Sequence, residues 1–187
     1  MRAPVKQRSA MTHIALLRGI NVGGRNALPM AKLRALAEAL GWCDPRTYIQ
    51  SGNLLFEAKG NAAALETALE SAIQAKLGLA IPVLVRSAAD WAALLAANPF
   101  AQEAEAEPNR VMVALSKRPL QDGAAQALEA KGAAGERVNA AGGALWFHYP
   151  QGAGQSKITP AMIDKAAGSP VTARNWRTAL TLRDMAG

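Results

Sequence analysis

Three segments carry side chains whose types and spacing could do chemistry. The first is Arg18-Gly19-Ile20-Asn21-Val22-Gly23-Gly24-Arg25-Asn26. Glycines let backbone approach a ligand closely, and a helix start downstream presents free N–H groups that attract anions. Arg18 and Arg25 would add charge-assisted hydrogen bonds to a phosphate. The spacing fits neither the G-x-x-x-x-G-K-[ST] nor the G-x-G-x-x-G phosphate loop, and a tight connection with turn-forming glycines uses the same residues. The second segment is Tyr48-Ile49-Gln50-Ser51-Gly52-Asn53. Ser51 has no base at a recognisable spacing and no G-x-S-x-G elbow around it. Ser-Gly-Asn is one element of the penicillin-binding set, but no S-x-x-K accompanies it. Serine catalysis is therefore rejected, and the segment reads as a hairpin turn. The third is Thr172-Ala173-Arg174-Asn175-Trp176-Arg177-Thr178, read as a helix capped by Thr172. Arginines in a first helical turn sit at the positive end of the dipole and call for an anion or carboxylate. Trp176 is the kind of residue that more often packs than stacks on a ligand.

Little else could move protons or hold metal. Tyr48 and His13 are the visible proton-transfer candidates. The two histidines, His13 and His148, stand apart from any cysteine or carboxylate at ligand spacing, so a zinc site with its three or four ligands is not expected. No metal or other cofactor is expected. The single cysteine, Cys43, cannot form an internal disulfide, which points to a cytoplasmic rather than a secreted chain.

The elements that position these segments follow from periodicity and punctuation. His13–Arg18 is a short apolar run that reads as a buried strand. Pro29 opens a helix whose Met30, Leu33, Leu36, Ala37 and Leu40 share one face, and Gly41 closes it. Arg46–Gln50 and Asn53–Glu57 read as a hairpin joined by Ser51-Gly52. Asn61 caps a helix striped by Leu65, Leu69, Ile73 and Leu77, ended by Gly78. Ile81–Arg86 is the next strand. Ser87 caps a helix over 88–97, stopped by Asn98-Pro99, and Ala101–Pro108 reads as an exposed acidic loop. The order strand, helix, strand, strand, helix, strand is the split βαβ plan. The second half repeats it: a strand at Arg110–Leu115, a helix over 120–131, a hairpin of Arg137–Ala140 and Ala144–His148 around Gly142-Gly143, and a helix from Thr159-Pro160 to Ala167. Ser169-Pro170 breaks that helix, and the last helix runs to Met185.

The expected fold class is therefore α+β: two ferredoxin-like (βαββα-type) subdomains, each an antiparallel sheet with helices packed on one face. The expected division is a flexible tail at 1–10, subdomains at 11–87 and 109–187, and a connecting helix and acidic loop at 88–108. Because the halves share element order and not residues, the duplication is a structural expectation.

The net charge is +7. Residues 1–87 hold 11 basic against 5 acidic side chains, while residues 88–187 hold 10 against 9. A basic first half would draw phosphate-bearing partners by long-range field, though there is no dense Lys/Arg run. No apolar stretch reaches the roughly 18 residues of a membrane span.

The stretches ALLRGINVGGRNALPMAKLRALAEALGW, RTYIQSGNLLF, Asn98-Pro99-Phe100 and TARNWRT together resemble the domain of unknown function 1697 family, over essentially Met11 to Gly187. The resemblance implies paired ferredoxin-like subdomains and marks RGINVGG and RNW as hallmarks. It supplies no activity and no catalytic residue. The chain has Arg25 where such proteins commonly have Lys, and Ala173 where Thr is common.

The leading expectation is a binding protein for a phosphate-bearing ligand, a nucleotide or nucleic acid. Its contacts would come from Arg18, Gly19, Asn21, Gly23, Gly24, Arg25, Ser51, Asn53, Arg174, Asn175 and Trp176. Ferredoxin-like sheets that bind RNA do so through aromatics on an open face, and aromatics are scarce here. The alternatives are a small enzyme acting on an acidic or phosphorylated small molecule, and a ligand-free protein–protein adaptor. Convergence of the Arg18–Asn26 loop and the Arg174 segment on one pocket would favour a site. Arginines already neutralised inside the protein would not.

Overall fold

The computed structural model describes residues 10–187; the tail expected at 1–10 lies, but for Ala10, outside the described residues. The first half runs β1 (Met11–Leu17), α1 (Met30–Ala39), β2 (Cys43–Tyr48), β3 (Asn53–Ala58), α2 (Ala62–Leu77) and β4 (Val83–Ser87), followed by α3 (Ala88–Ala96) and α4 (Ala101–Ala106). The second half runs β5 (Val111–Ser116), α5 (Ala124–Glu129), β6 (Arg137–Ala141), β7 (Ala144–His148), α6 (Pro160–Ala167), β8 (Val171–Asn175) and α7 (Trp176–Ala186). The sheets have equivalent orders, β2-β3-β1-β4 and β6-β7-β5-β8, with all pairs antiparallel. These are the two ferredoxin-like subdomains, each with a further helix after its fourth strand.

The central strands β1 and β5 are buried on both faces, which is why β1 reads as a continuous apolar run. Ala15 and Leu17 point into a core with Leu33 of α1 and Leu69 and Ile73 of α2. Ile14 and Leu16 point the other way, into a core shared by both halves. There Leu55 and Leu84 of the first sheet, Trp91 and Leu94 of α3, Val113 and Trp146 of the second sheet, and Leu182 of α7 meet. A third core lies under α5 and α6, around Leu128, Leu145 and Phe147. So α1 and α2 cover one face of the first sheet as expected, while α3 and α7 lie on the face that it turns toward the other half. The indole of Trp91 donates to Ala179 O of α7 (3.1 Å), a buried bond that satisfies the one polar atom of a fully buried tryptophan.

Four expectations are corrected. Residues 101–106 form α4 rather than an exposed loop, because Ala104 is buried with Phe100 in the shared core. The helix over 120–131 shortens to Ala124–Glu129, started by Gly123 at φ 76°. The first hairpin has a four-residue turn, Ile49–Gly52, in place of two residues; Ile49 and Gly52 both take positive φ, 49° and 82°. Its first strand reaches back to Cys43 through an irregular register. Finally, Val171–Asn175 is a strand paired with β5, and Asn175, not Thr172, caps the last helix by accepting from Thr178 N (2.8 Å). Five residues after a proline carry too little periodicity to separate a strand from a first helical turn; the partner strand decides.

Candidate functional site

Strand β8 carries Arg174 on the face turned toward the first half, and the residue is 7% exposed. Nε donates to Asn53 Oδ1 (2.5 Å). Nη1 donates to Thr172 Oγ1 and Ala173 O (both 2.8 Å). Nη2 faces the carbonyls of Leu17 (3.0 Å), Ser51 (3.1 Å) and Gly52 (3.2 Å). The cage thus consists of neutral oxygens from the end of β1 and the β2–β3 turn. Burial draws the Arg174 pKa down to about 10, still well above neutrality, so the group stays charged. Asn53, itself fully buried, is held by its own Nδ2, which donates to Tyr48 O (3.0 Å) and Ser51 Oγ (3.1 Å).

The Gly/Arg loop joins the same network from outside. Asn21, at φ 54°, donates through Nδ2 to Leu28 O (3.0 Å) and Gln50 O (2.8 Å) and accepts from Leu28 N (2.9 Å). Asn26 donates to Gly19 O (2.9 Å). Asparagine side chains here do what backbone pairing does elsewhere: they close an irregular loop onto its neighbours. Gly23, Gly24 and Arg25 are exposed at its tip. The Arg18–Asn26, Tyr48–Asn53 and Arg174 segments therefore do converge, but on one another. The Arg174 donors already have acceptors. Asn175 is a helix cap, and Trp176 packs half-buried against Trp146 with centroids 5.9 Å apart. His13 is buried, donates Nδ1–H to Met11 O (2.8 Å) and stacks on Phe56; burial lowers its pKa. Tyr48 packs against the shared core.

A second arrangement was not legible from the sequence. Each half carries a basic residue just after its first strand, and each reaches a carboxylate on the other half's second helix. Arg18 meets Asp164 of α6 (2.6 Å). Lys117 meets Glu66 (2.9 Å) and Glu70 (2.8 Å) of α2 and donates to Val83 O (2.6 Å). Those carboxylates also cap the edge strands: Glu70 accepts from Val83 N, the first residue of β4, and Asp164 from Val171 N, the first residue of β8. The ladder ends match as well, with Arg18 N donating to Pro82 O and Lys117 N to Pro170 O (both 3.0 Å). The two halves are thus related by an approximate two-fold. Burial works against the Lys117 ammonium, but hydrogen bonds to Glu70 and Glu66 and their charges outweigh it and hold its pKa above the ordinary lysine value.

Beside the Lys117 clasp lies a cleft of about 820 Å³ between the halves. One wall is α2 (Glu70, Ser71, Gln74) with Ile81 and Pro82; the other is Lys117, Arg118, Ser169 and Pro170. Ser169 Oγ accepts from Arg118 N (3.0 Å) and shares a hydrogen bond with Ser116 Oγ (2.6 Å), which fixes the loop. The Arg118 side chain is exposed and has no acidic partner among the described residues. Its signal in the sequence was slight: one basic pair between a strand and a proline. The described residues contain no group of three His, Cys, Asp or Glu side chains placed to hold a metal, and no helix long and apolar enough to cross a membrane.

Residues 11–146, well over half of the chain, match the family model described as "Protein of unknown function (DUF1697)". Among solved structures, a conserved bacterial protein from Streptococcus pneumoniae is similar, with a TM-score of 0.72 and 23% identity, over 96% of this chain and all of that one. At that identity the likeness concerns the fold. No curated protein matches significantly.

Proposed function

We propose that this chain, which belongs to the DUF1697 family, is a binding protein for a small phosphate-bearing ligand of nucleotide size. The site is the cleft between the halves rather than the Gly/Arg loop. The observation that carries this reading is Arg118, an exposed guanidinium without an internal counter-charge, at the rim of an 820 Å³ cleft. That volume falls within the roughly 300–1,000 Å³ of small-molecule sites. Ile81, Pro82 and Pro170 offer an apolar wall, while Ser71 and Gln74 offer hydrogen bonds. Of the three arginines expected to bind, Arg18 and Arg174 already have partners inside the protein, and Arg25 stands exposed at the tip of the loop, away from the residues lining the cleft. A nucleic-acid version through a sheet face is disfavoured, because both faces of each sheet are covered and Phe56, Trp146 and Phe147 are buried. An enzyme reading finds little support, since the titratable groups of the cleft other than Arg118 are Glu70 and Lys117, paired with each other. The single cysteine supports a cytoplasmic rather than a secreted location in this reading.

The test is thermal denaturation of the whole chain at low salt with mono-, di- and triphosphate nucleotides and inorganic phosphate. A ligand that binds only the native state raises Tm by mass action. At least one nucleotide should do so, and Arg118→Ala should remove the shift while leaving the ligand-free Tm unchanged. A flat response to every compound, or one that Arg118→Ala leaves intact, defeats the proposal.

A further inference from the structure

The approximate two-fold sets Arg86 against Arg174. Each is the next-to-last residue of its sheet's edge strand, and each precedes the cap of the following helix, Ser87 or Asn175. Each donates Nη1 to the carbonyl of the residue before it, Val85 O (2.7 Å) or Ala173 O (2.8 Å). Arg174 lies against the opposite half's hairpin turn, and Arg86 lines one pocket with the hairpin turn of the half opposite to it. There the equivalence stops. The turn that wraps Arg174 is four residues long, Ile49–Gly52, and is followed by Asn53; the turn facing Arg86 is Gly142-Gly143, followed by Ala144. Two residues and the amide side chain that make the Arg174 cage are missing on the other side. In their place is a pocket of about 470 Å³ lined by Arg86, Asp90, Leu94, Leu115, Gly142 and Ala144.

The Arg174 cage shows what satisfies a guanidinium at this point of the fold: carbonyl oxygens of a peptide turn and of an amide. Among the described residues Arg86 has the one hydrogen bond to Val85 O, so Nε and Nη2 lack protein acceptors. The nearby acids set the charge of the occupant. Glu66 lies 3.8 Å from Arg86 Nη1, its charge shared with Lys117, and Asp90 Oδ2 accepts from Ser87 Oγ (2.7 Å). With Asp90 lining the same pocket, an anion meets repulsion while an uncharged amide meets an N–H donor at one end and an acceptor at the other. We propose that the Arg86 pocket is a second binding site, taking an uncharged peptide segment whose backbone carbonyls complete the guanidinium as Ser51, Gly52 and Asn53 complete Arg174. Leu94 and Leu115 take its apolar side.

The probe is acetyl-Ser-Gly-Asn-amide, the sequence that fills the equivalent cage, titrated into the isotope-labelled full chain and followed by amide NMR. Shifts should concentrate at Arg86, Leu94, Gly142 and Gly143. Affinity should fall about tenfold in Arg86→Met, the size of one charge-assisted hydrogen bond. Ala93→Leu, on the exposed helix surface lining the pocket, should block the site by volume while leaving the fold intact. Sodium acetate should perturb these amides less than the peptide does. Peptide shifts that fall elsewhere or not at all, that persist in both variants, or that acetate reproduces in full overturn the proposal. The Arg118 cleft is tested separately, so failure at one site says nothing of the other.

Discussion

Arg174→Met should destabilise the protein by about 3 kcal/mol. Methionine keeps much of the length and apolar volume of the side chain and removes every donor. Of the oxygens across the junction, Ser51 belongs to an exposed residue that water can serve, and Gly52 O also accepts from Leu17 N (2.8 Å). That leaves Asn53 Oδ1 and Leu17 O, on residues 0% and 1% exposed. A buried acceptor stripped of its partner costs roughly 1–3 kcal/mol, so two of them give about 4. The variant no longer buries a charge whose pKa burial had lowered to about 10, which offsets part of this loss. For a chain of this size each kcal/mol moves Tm by roughly 2–4 °C, so the melt should fall by about 6–12 °C. Arg174→Lys should lose nearly as much, because a single ammonium cannot divide its donors between Asn53 and the carbonyls as a planar fork does. A double-mutant cycle with Asn53→Ala should return a coupling energy well above zero. The measurement is circular-dichroism melting with urea unfolding alongside. The transition should stay single, because Trp91, Val113, Trp146 and Leu182 share one core. A loss for Arg174→Met below about 1 kcal/mol, in the range of an ordinary surface change, would show that the cage fills space without fastening the halves.

Two further predictions concern the same fold. Gly52→Ala places a Cβ 2.8 Å from both Leu17 Cβ and Ile20 Cδ1 at φ +82°. Overpacking and left-handed strain together should cost about 2–4 kcal/mol, seen as a lower urea midpoint at unchanged slope; an unaltered midpoint contradicts the turn geometry. Glu136 accepts from Ser156 Oγ (2.6 Å) and Ala134 N (2.7 Å), and these bonds, the hydroxyl's first, pull its pKa from 4.5 to about 2. A depressed carboxylate stabilises fully above its unfolded pKa and loses that contribution as pH falls through the folded value. Between pH 4.5 and 2 the wild-type Tm should therefore fall more steeply than that of Glu136→Gln; parallel curves refute the assignment.

What could be read in advance were features whose cause is local. Asn61 and Ser87 cap their helices as expected, accepting from Ala64 N and Asp90 N, and the helix expected from Thr159-Pro160 starts at Pro160. Gly41 and Gly78 follow their helices in the left-handed region, as expected. Alternation between two cores made β1 and β4 into unbroken apolar runs. What could not be read depends on partners far along the chain. Arg174 takes its acceptor from Asn53, 121 positions away, and no spacing rule connects them. Helix α4 exists because Phe100 and Ala104 find a core, not because AQEAEA has a pattern of its own. Arginines on a supposed helix start suggested a waiting anion, but on a strand the same residue faces another sheet's carbonyls. Residue type showed that Arg174 needed oxygen acceptors; only topology could say that the protein supplies them.

The same reasoning explains why the duplication was visible as an order of elements and not as a repeat of residues. Two equivalent halves packed about an approximate two-fold cannot both place a large side chain at the axis. Trp91 fills the position that Ala179 leaves open and donates to its carbonyl. Lys117 answers two carboxylates where Arg18 answers one. Asn53 closes a cage where Ala144 leaves a pocket. Divergence is therefore enforced by packing at the junction, and it turns paired equivalent positions into one filled site and one open site. The Arg86 pocket is open for that reason: the turn that would have closed it stops two residues short.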